Sequence, residues 1–294
     1  ARLSTQSVVK HFDAYADIDW ESAELALDPS DTRWEPKADP IAQTAWYASL
    51  PPERRAQLGC HMTAGKMKTG LQFENILKRG LLEFAFRLPN QSPEFRYAYH
   101  EVIEEAHHGM MFQEFVNRSG YDPRGLALVD RAGARVVVGF ARWFPELFFV
   151  FVLGGEDPVD HLQRQSLRRG DNHPLLERIM RIHVTEEARH LSFARHYLKR
   201  RVPTLTRRRR AALAVGAPVV LAVMADMMLK PSRQLVAQYE IPKDAIDSAY
   251  THNPEHKAAT IESLAKVRKL CEELGLLGRP YQRLWRALGL EAQQ

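Results

Sequence analysis

Apolar side chains recur every three to four residues along most of the chain, whereas the strict alternation that marks strands is nearly absent. This pattern predicts an all-α protein. We expect four long core helices at about 61–87, 93–119, 129–168 and 175–201. Proline and glycine residues mark the ends of these segments, as helix stop signals do.

The third of these regions is interrupted by Pro145, by the Gly154-Gly155 pair and by Pro158, which predict breaks or kinks. The segment before about Pro52 is typical of short helices and loops. After the fourth core helix, shorter helices are expected to wrap the bundle, at about 207–229, 232–240, 255–274 and 280–289. We therefore predict one domain over residues 1–294, with its bundle core at about 60–202.

The composition is that of an ordinary globular protein with a mild positive charge. Of the 294 residues, 45% are hydrophobic and 26% are charged, and the formal net charge is +5. Basic runs at 199–201 and 207–210 have no aromatic residues between them, so we interpret them as solvated and predict no nucleic-acid binding. Cys60 and Cys271 have no metal or disulfide spacing and indicate free thiols in a reducing cytoplasm.

One apolar stretch, at 211–229, has the length of a membrane span and follows four arginines. Pro218 and Asp226 interrupt it, so we predict a buried bundle helix and no membrane association. A membrane-facing or dimer-forming role for this stretch stays open. The amino terminus shows no apolar signal core.

Three acidic and histidine positions recur 82 residues later in the chain. The recurring pairs are Glu74 with Glu156, Glu105 with Glu187, and His108 with His190. Each half thus has one Glu, followed 31 residues later by Glu-x-x-His. A four-helix bundle that binds two metal ions in its core uses this pattern, because two helices give one Glu each and two give a Glu-x-x-His pair on one face.

We interpret these six residues as ligands of two metal ions. Any one of these Glu residues alone would most simply lie on a solvated helix face. A second reading of the motif also exists, because Glu104 with His107 satisfies Glu-x-x-His as well. Only the frame with Glu105 gives equal intervals in both halves. Glu74 lies among apolar neighbours and Glu156 follows the most hydrophobic segment. Buried carboxylates need compensating charge, which divalent cations would supply.

His183 adds a third histidine to the same helix face, because it precedes Glu187 by four residues and His190 by seven. The equivalent position in the first half is Glu101. We interpret His183 as a ligand, and the alternative is a core histidine that hydrogen-bonds the ligands. Three imidazoles and four carboxylates suit iron or manganese better than magnesium, and two such sites with shared carboxylates are unusual for zinc, so an Fe/Fe or an Mn/Fe pair is expected.

This set resembles the di-iron arylamine N-oxygenases of the p-aminobenzoate N-oxygenase (AurF-like) family over about residues 60–230. The resemblance implies a ferritin-like four-helix bundle with additional wrapping helices, and a homodimer for which 211–229 is one possible interface. It implies that two iron ions react with dioxygen, and that a peroxo species oxidises an aromatic amine through the hydroxylamine towards the nitro compound. By this resemblance, the metal ligands are Glu74, Glu105, His108, Glu156, His183, Glu187 and His190.

Two positions depart from the family pattern and leave the substrate open. Where the family has an Arg that holds the substrate carboxylate, this chain has Lys66 and Thr69, with Gly70 one turn before Glu74. One turn after Glu156, where the family has an amide, Asp160 stands. The fold and the cluster are therefore carried over from the resemblance, and p-aminobenzoate as the substrate is not.

Further residues are candidates for the surroundings of the metals. Metal-bound histidines usually donate their second N–H to a carboxylate or carbonyl. The candidate acceptors and nearby acids are Glu104, Glu186, Asp157 and Asp226. For Asp226, a charge at a helix end that faces solvent is an equal alternative. The candidate walls of a substrate pocket, which at helical spacing are also typical of plain core, are Met67, Phe73, Leu77, Phe112, Phe151 and Leu191.

Other functions are compatible with the same cluster. A di-iron hydroxylase, desaturase or oxidase could act on another apolar substrate, and a ferritin-like iron-binding or storage protein would need no organic substrate. The long apolar helices and the extension past Arg201 disfavour storage. A ribonucleotide-reductase radical subunit would usually have an Asp as its first ligand, where this chain has Glu74. No flavin or nicotinamide motif is present, so reducing equivalents are expected from an electron-donor protein or from peroxide.

Overall fold

The computed structural model describes residues 2–291, and within that range it contains helices and no strand, which confirms the predicted all-α class. Short 3-10 turns and loops fill residues 10–44, as expected for the segment before Pro52. In chain order the α-helices are α1 (Arg2–Val9), α2 (Ala45–Ser49), α3 (Pro52–Phe86), α4 (Pro93–Ser119), α5 (Leu128–Trp143), α6 (Pro145–Arg169), α7 (Pro174–Arg201), α8 (Arg207–Met228), α9 (Arg233–Gln238), α10 (Lys243–Ile246), α11 (Pro254–Ser263), α12 (Ala265–Glu273) and α13 (Gln282–Ala287).

Four of these helices, α3, α4, α6 and α7, form the central bundle. The short loop 87–92 folds α3 back along α4, and the loop 170–173 folds α6 back along α7. The two hairpins meet where α3 contacts α6 and α4 contacts α7. The connection from α4 to α6 is long and contains α5, which packs on α3 and α6. One long crossover between two helix hairpins is typical of ferritin-like bundles.

Two helices begin at prolines that the predicted boundaries did not use, Pro52 and Pro145. The first core helix begins at Pro52 rather than near 61, and its added turns bury Ala56 and Leu58. The third predicted region is two helices, since α5 ends at Trp143 and Pro145 starts α6. Proline favours the first helical turn because it has no N–H to leave unpaired there. The breaks predicted at Gly154-Gly155 and Pro158 do not occur, because all three residues lie inside α6.

Two glycines set the spacing between α6 and its neighbours. A Cβ atom on Gly155 would lie 2.1 Å from the ring of Phe73 on α3, and one on Gly154 would lie 2.9 Å from Leu221 on α8. Both distances are shorter than van der Waals contact. The absence of side chains at these positions therefore lets α3 and α8 approach α6 closely, at the level of Glu156.

The apolar stretch at 211–229 forms most of α8, which has one buried and one exposed face. Its buried side packs on α6, whereas Val215, Val219 and Val223 are exposed. Within residues 2–291, the segment Arg207–Gln238 is the one helical stretch long and apolar enough to cross a membrane by length and composition, and 39% of its most apolar window is buried. The prediction of a buried bundle helix thus holds for one face of α8.

Candidate metal centre

The four bundle helices bring all seven predicted ligands together in the core, where every one of them is buried. Helix α3 contributes one carboxylate, α4 a Glu-x-x-His pair, α6 one carboxylate, and α7 two histidines and one carboxylate. The potential ligand atoms form four groups of three residues, and within each group these atoms lie within 4.8 Å of one another. The groups are Glu74–His108–His183, Glu101–Glu105–His190, Glu105–His108–Glu187 and Glu156–His183–Glu187. That these residues bind metal stays a prediction. It requires their side chains to lie close together in the core, as they do.

Glu105 and Glu187 lie at the middle of the cluster and face the same two histidines. Glu187 Oε1 lies 2.9 Å from His190 Nδ1 and 3.5 Å from His108 Nδ1. Glu105 Oε2 lies 3.2 Å from His108 Nδ1, and its Oε1 lies 3.1 Å from His190 Nδ1. Carboxylates shared in this way between two imidazoles would both be within reach of a pair of metal ions held in the core.

The outer nitrogens of these histidines are held by carboxylates from the opposite helix. His108 Nε2 on α4 lies 2.9 Å from Glu186 Oε2 on α7, and His190 Nε2 on α7 lies 2.7 Å from Glu104 Oε2 on α4. Arg189 Nη2 donates to Glu104 at 2.8 Å, which fixes that carboxylate in turn. Each Nε2–H thus has an acceptor, and each Nδ1 is left facing the cluster. The structure therefore confirms the predicted hydrogen-bonding positions of Glu104 and Glu186.

His183 is oriented by a residue that sequence reasoning missed. Its Nδ1 lies 3.0 Å from Gln163 Oε1 on α6, and its Nε2 lies 3.5 Å from Glu74 Oε1. The amide oxygen accepts the Nδ1–H proton, so the lone pair of Nε2 faces the cluster. Burial and the charge of His108 hold the pKa of His183 well below its usual range, which keeps the ring neutral. Gln163 follows Glu156 by seven residues, and this spacing on one helix face was the available signal.

The centre carries more acidic groups than its histidines can balance. Burial and the charge of Glu105 raise the pKa of Glu74, and burial and the charge of Glu187 raise that of Glu156. The pKa of Glu104 is shifted in the opposite direction. Burial opposes ionisation of Glu104, but the hydrogen bond from His190 and the charges of His190 and Arg189 lower its pKa to about 2. Bound cations would favour the ionised form of the inner carboxylates.

Several inner carboxylate oxygens have no hydrogen-bond donor among the described residues. Glu74 Oε2, Glu101 Oε2 and Glu187 Oε2 are buried, and none of these atoms has a hydrogen-bond partner within residues 2–291. Buried acceptors are rarely left unpaired, because desolvation without a partner is costly. A mixed set of carboxylate oxygens and imidazole nitrogens suits iron or manganese. The residues present therefore fit a two-metal centre.

One side of the cluster opens onto a cleft of about 2130 Å³ that reaches the protein surface. Of the seven predicted ligands, Glu74, Glu156 and His183 line this cleft. Its walls near them include three of the predicted pocket residues, Met67, Phe73 and Phe112. The other three predicted wall residues pack in the apolar core and do not line this cleft, and they are Leu77, Phe151 and Leu191.

Of the positions that depart from the family pattern, three lie along the cleft and Asp160 does not. Lys66 is exposed at the cleft mouth, 3.8 Å from Asp39, while Thr69 and Gly70 line the cleft without offering a cation. Asp160 is buried and accepts a hydrogen bond from Arg164 Nε at 2.7 Å. The side chain of Asp160 is therefore held by an ion pair and is not among the cleft-lining residues.

Two of the predicted nearby acids have other partners. Asp157 is buried and forms an ion pair with the partly exposed Arg195 of α7. Asp226 is exposed and pairs with Lys230 one turn later. The candidate role of Asp226 beside the metals is therefore wrong, because its side chain is solvated at the end of α8 and is not turned towards the bundle core.

The fold and these buried Glu/His groups define an all-α bundle protein whose core could hold metal ions. The chain matches the p-aminobenzoate N-oxygenase AurF family over residues 1–275, and it belongs to that family. The match extends the resemblance from the bundle core into the amino-terminal segment and the wrapping helices.

Relatives at moderate identity span the whole chain. It is 40% identical to the uncharacterized protein MT0908 of Mycobacterium tuberculosis (strain CDC 1551 / Oshkosh), with 100% of this chain and 87% of that protein aligned. It is 39% identical, with the same coverage, to the uncharacterized proteins Mb0909 of Mycobacterium bovis and Rv0885 of Mycobacterium tuberculosis (strain ATCC 25618 / H37Rv). No solved structure matches the chain significantly.

Proposed function

We propose that this protein is a dioxygen-dependent di-iron oxygenase that N-oxygenates an aromatic amine. The observation that carries the proposal is the convergence of seven buried Glu and His side chains at the inner end of a cleft, in a chain of the p-aminobenzoate N-oxygenase family. We infer that two iron ions are held by the predicted ligands Glu74, Glu105, His108, Glu156, His183, Glu187 and His190. Bound iron would supply the activation of dioxygen, which no side chain can perform alone.

The reaction balances with an external source of electrons. One oxygen atom of dioxygen enters an N–H bond of the arylamine and gives the hydroxylamine. The other oxygen atom leaves as water and requires two electrons and two protons. An electron-donor protein would supply the electrons, or hydrogen peroxide would replace dioxygen and the electrons together. Repeated N-oxygenation would lead towards the nitro compound.

The residues of this chain would place the substrate and exclude water. Phe73 and Phe112 offer aromatic surfaces next to the cluster, and Met67 adds a flexible apolar contact. A ring held between these side chains would direct its amine towards Glu74 and His183. The hydrogen bond to Gln163 keeps His183 in one orientation while a substrate enters. An apolar inner cleft also limits the access of bulk water to the site.

A second candidate function is favoured by the cleft itself. Its volume of about 2130 Å³ exceeds the roughly 300–1,000 Å³ typical of small-molecule sites, and Lys66 and Thr69 stand where the family has its carboxylate-binding Arg. A longer apolar substrate would fit this space. The same cluster would then serve a hydroxylase, a desaturase or another oxidase.

An oxygen-labelling experiment tests the proposed reaction. The iron-loaded protein would be reduced, supplied with ¹⁸O₂ and a panel of arylamines and apolar acids, and the products analysed by mass spectrometry. We expect one labelled oxygen per arylhydroxylamine formed. Labelling on carbon of an apolar acid would favour the second function, and unlabelled products throughout would contradict both.

We further propose a cytoplasmic homodimer. The α8 stripe of Val215, Val219 and Val223 carries no charge and is exposed, as expected of a helix face that meets a second copy. Light scattering should give twice 33.7 kDa for the protein and a monomer for Val219→Glu. The control Val9→Glu, on the exposed end of α1, should stay dimeric. A monomeric wild type that binds lipid vesicles would instead favour a membrane surface as the occupant.

A further inference from the structure

Glu101 occupies in the first half of the chain the position that His183 occupies in the second. The two residues are 82 positions apart, and each precedes its own Glu-x-x-His pair by four residues. Glu101, Glu105 and His108 therefore share one face of α4, as His183, Glu187 and His190 share one face of α7. These two faces are turned towards each other across the metal centre.

The surroundings of Glu101 match those of a ligand. Its side chain is 1% exposed. One of its carboxylate oxygens lies within 4.8 Å of a carboxylate oxygen of Glu105 and of a ring nitrogen of His190. His183 likewise lies in a group with one carboxylate and one histidine, Glu74 and His108, although Glu74 is not the repeat counterpart of Glu105. Glu101 Oε2 is buried and has no hydrogen-bond partner within the part of the chain that the structure describes. A carboxylate buried in this manner needs a cation.

We propose that Glu101 is an eighth protein ligand, which completes the coordination of the metal ion on the His190 side of the cluster. This inference rests on the proposed di-iron function. The pseudo-repeat then gives each metal ion a ligand from the opposite half of the bundle, His183 for the ion beside His108 and Glu101 for the ion beside His190.

This assignment makes the two metal sites chemically unequal. The group with Glu74, His108 and His183 has two imidazoles, and Glu74 and His183 line the cleft. The group with Glu101, Glu105 and His190 has one imidazole and two carboxylates, and none of its members is a cleft-lining residue. The site formed by Glu101, Glu105 and His190 therefore offers more carboxylate oxygens than the other. Such a ligand set favours harder ions such as iron or manganese.

Glu101 could instead be a protonated acid that only hydrogen-bonds its neighbours, and two substitutions separate these roles. Glu101→Gln keeps the size and the hydrogen-bonding capacity but removes the anionic ligand. Glu101→His offers an imidazole at the position equivalent to His183. A ligand role predicts loss of metal with Gln and recovery with His, whereas a hydrogen-bonding role predicts no effect of Gln.

The experiment is an anaerobic titration of the full chain with Fe(II) and, separately, with Co(II). Bound metal is counted by elemental analysis after desalting, and the visible absorption of Co(II) reports its coordination. We expect two ions per chain for the wild type, and for Glu101→Gln a second ion bound about tenfold or more weakly. Glu101→His should bind two ions again, with altered Co(II) bands. The control Glu114→Gln lies on the same helix in an ion pair with Arg118 and should behave as the wild type does.

Two Fe(II) ions bound to Glu101→Gln with wild-type affinity would overturn the assignment and leave the proposed function intact. A wild type that binds no pair of ions would remove the proposed function itself. If Glu101→Gln does not fold, Glu101→His decides, because two Co(II) ions with wild-type bands would show that position 101 does not touch a metal.

Discussion

Phe73 of α3 packs over Gly155 of α6, and these two residues hold equivalent positions in the two halves of the chain. They are 82 residues apart, and each directly precedes a carboxylate of the cluster, Glu74 or Glu156. The ring of Phe73 occupies the space that a Cβ on Gly155 would need. The halves of the bundle are thus complementary at this point, because the large side chain of Phe73 packs against a glycine that has none. This contact sets the distance between α3 and α6 at the metal centre.

Gly155→Ala should destabilise the protein. The added methyl would overlap the Phe73 ring, which is itself fully buried and packed on Phe151 at 5.0 Å between ring centroids. Such overpacking costs about 1–3 kcal/mol. Urea unfolding followed by circular dichroism measures the change in the free energy of unfolding.

Two further variants show whether the Phe73 contact is the cause. Gly133→Ala on α5 has open space around its Cβ position and should be neutral or stabilising by up to about 1 kcal/mol, since Ala is the better helix former. Phe73→Leu in the Gly155→Ala background should recover part of the loss. A Gly155→Ala protein as stable as the wild type would contradict the close approach of α3 and α6.

The sequence alone predicts the bundle and the position of its seven candidate ligands, because a repeated Glu and Glu-x-x-His pattern can converge only if four helices pack together. It does not predict Gln163, since a polar residue on a helix looks solvated until its neighbour His183 is placed. It leaves Asp226 open, because one charge in an apolar stretch gives the same sequence pattern whether it faces solvent or metal, and the structure shows that it faces solvent. Residues of the core and of a cleft wall recur at the same helical spacing, so the sequence does not show that Leu77 packs in the core and not at the cleft.

His183→Ala and Glu187→Ala should each lower metal occupancy and abolish oxygen-dependent turnover. Glu187 faces both His108 and His190, and His183 is the predicted ligand histidine that lines the cleft. Metal analysis and oxygen-electrode assays measure the two effects. Glu177→Gln, which removes an exposed ion pair with Arg181 on the same helix, serves as the control. Full metal content and activity in either alanine variant would rule out that residue as a ligand.

Glu186→Gln should weaken metal binding without removing a ligand. The carboxylate of Glu186 accepts the Nε2–H of His108 and so increases the basicity of the nitrogen that faces the metal. Loss of such a partner typically lowers metal affinity about 10–100-fold. Competition with a chelator of known affinity gives the change. Unaltered affinity would mean that the hydrogen bond between His108 and Glu186 does not tune the site.

The metal-free protein should lose stability between about pH 6.5 and pH 9. Burial opposes the charged form of His108, but hydrogen bonds to Glu105 and Glu186 raise its pKa to about 9, and burial raises the pKa of Glu101 to about 8. Both groups bind protons more tightly in the folded state, so their contribution is complete at low pH and is lost as the pH rises through these values.

Urea midpoints at pH 6.5 and pH 9 measure this effect. The metal-loaded protein should show the opposite trend, because metal ions displace these protons and bind more tightly as the pH rises. A metal-free protein that becomes more stable towards pH 9 would contradict the assigned charge states of the cluster.

The most direct test of the central claim is an iron count followed by the reaction with oxygen. The protein would be loaded with iron, reduced without air and mixed with oxygen in a stopped-flow spectrometer, with and without a panel of arylamines. The account predicts two iron ions per chain and a transient absorption band that decays faster when an arylamine is present. A protein that holds no iron, or zinc alone, would contradict the di-iron centre and the function proposed from it.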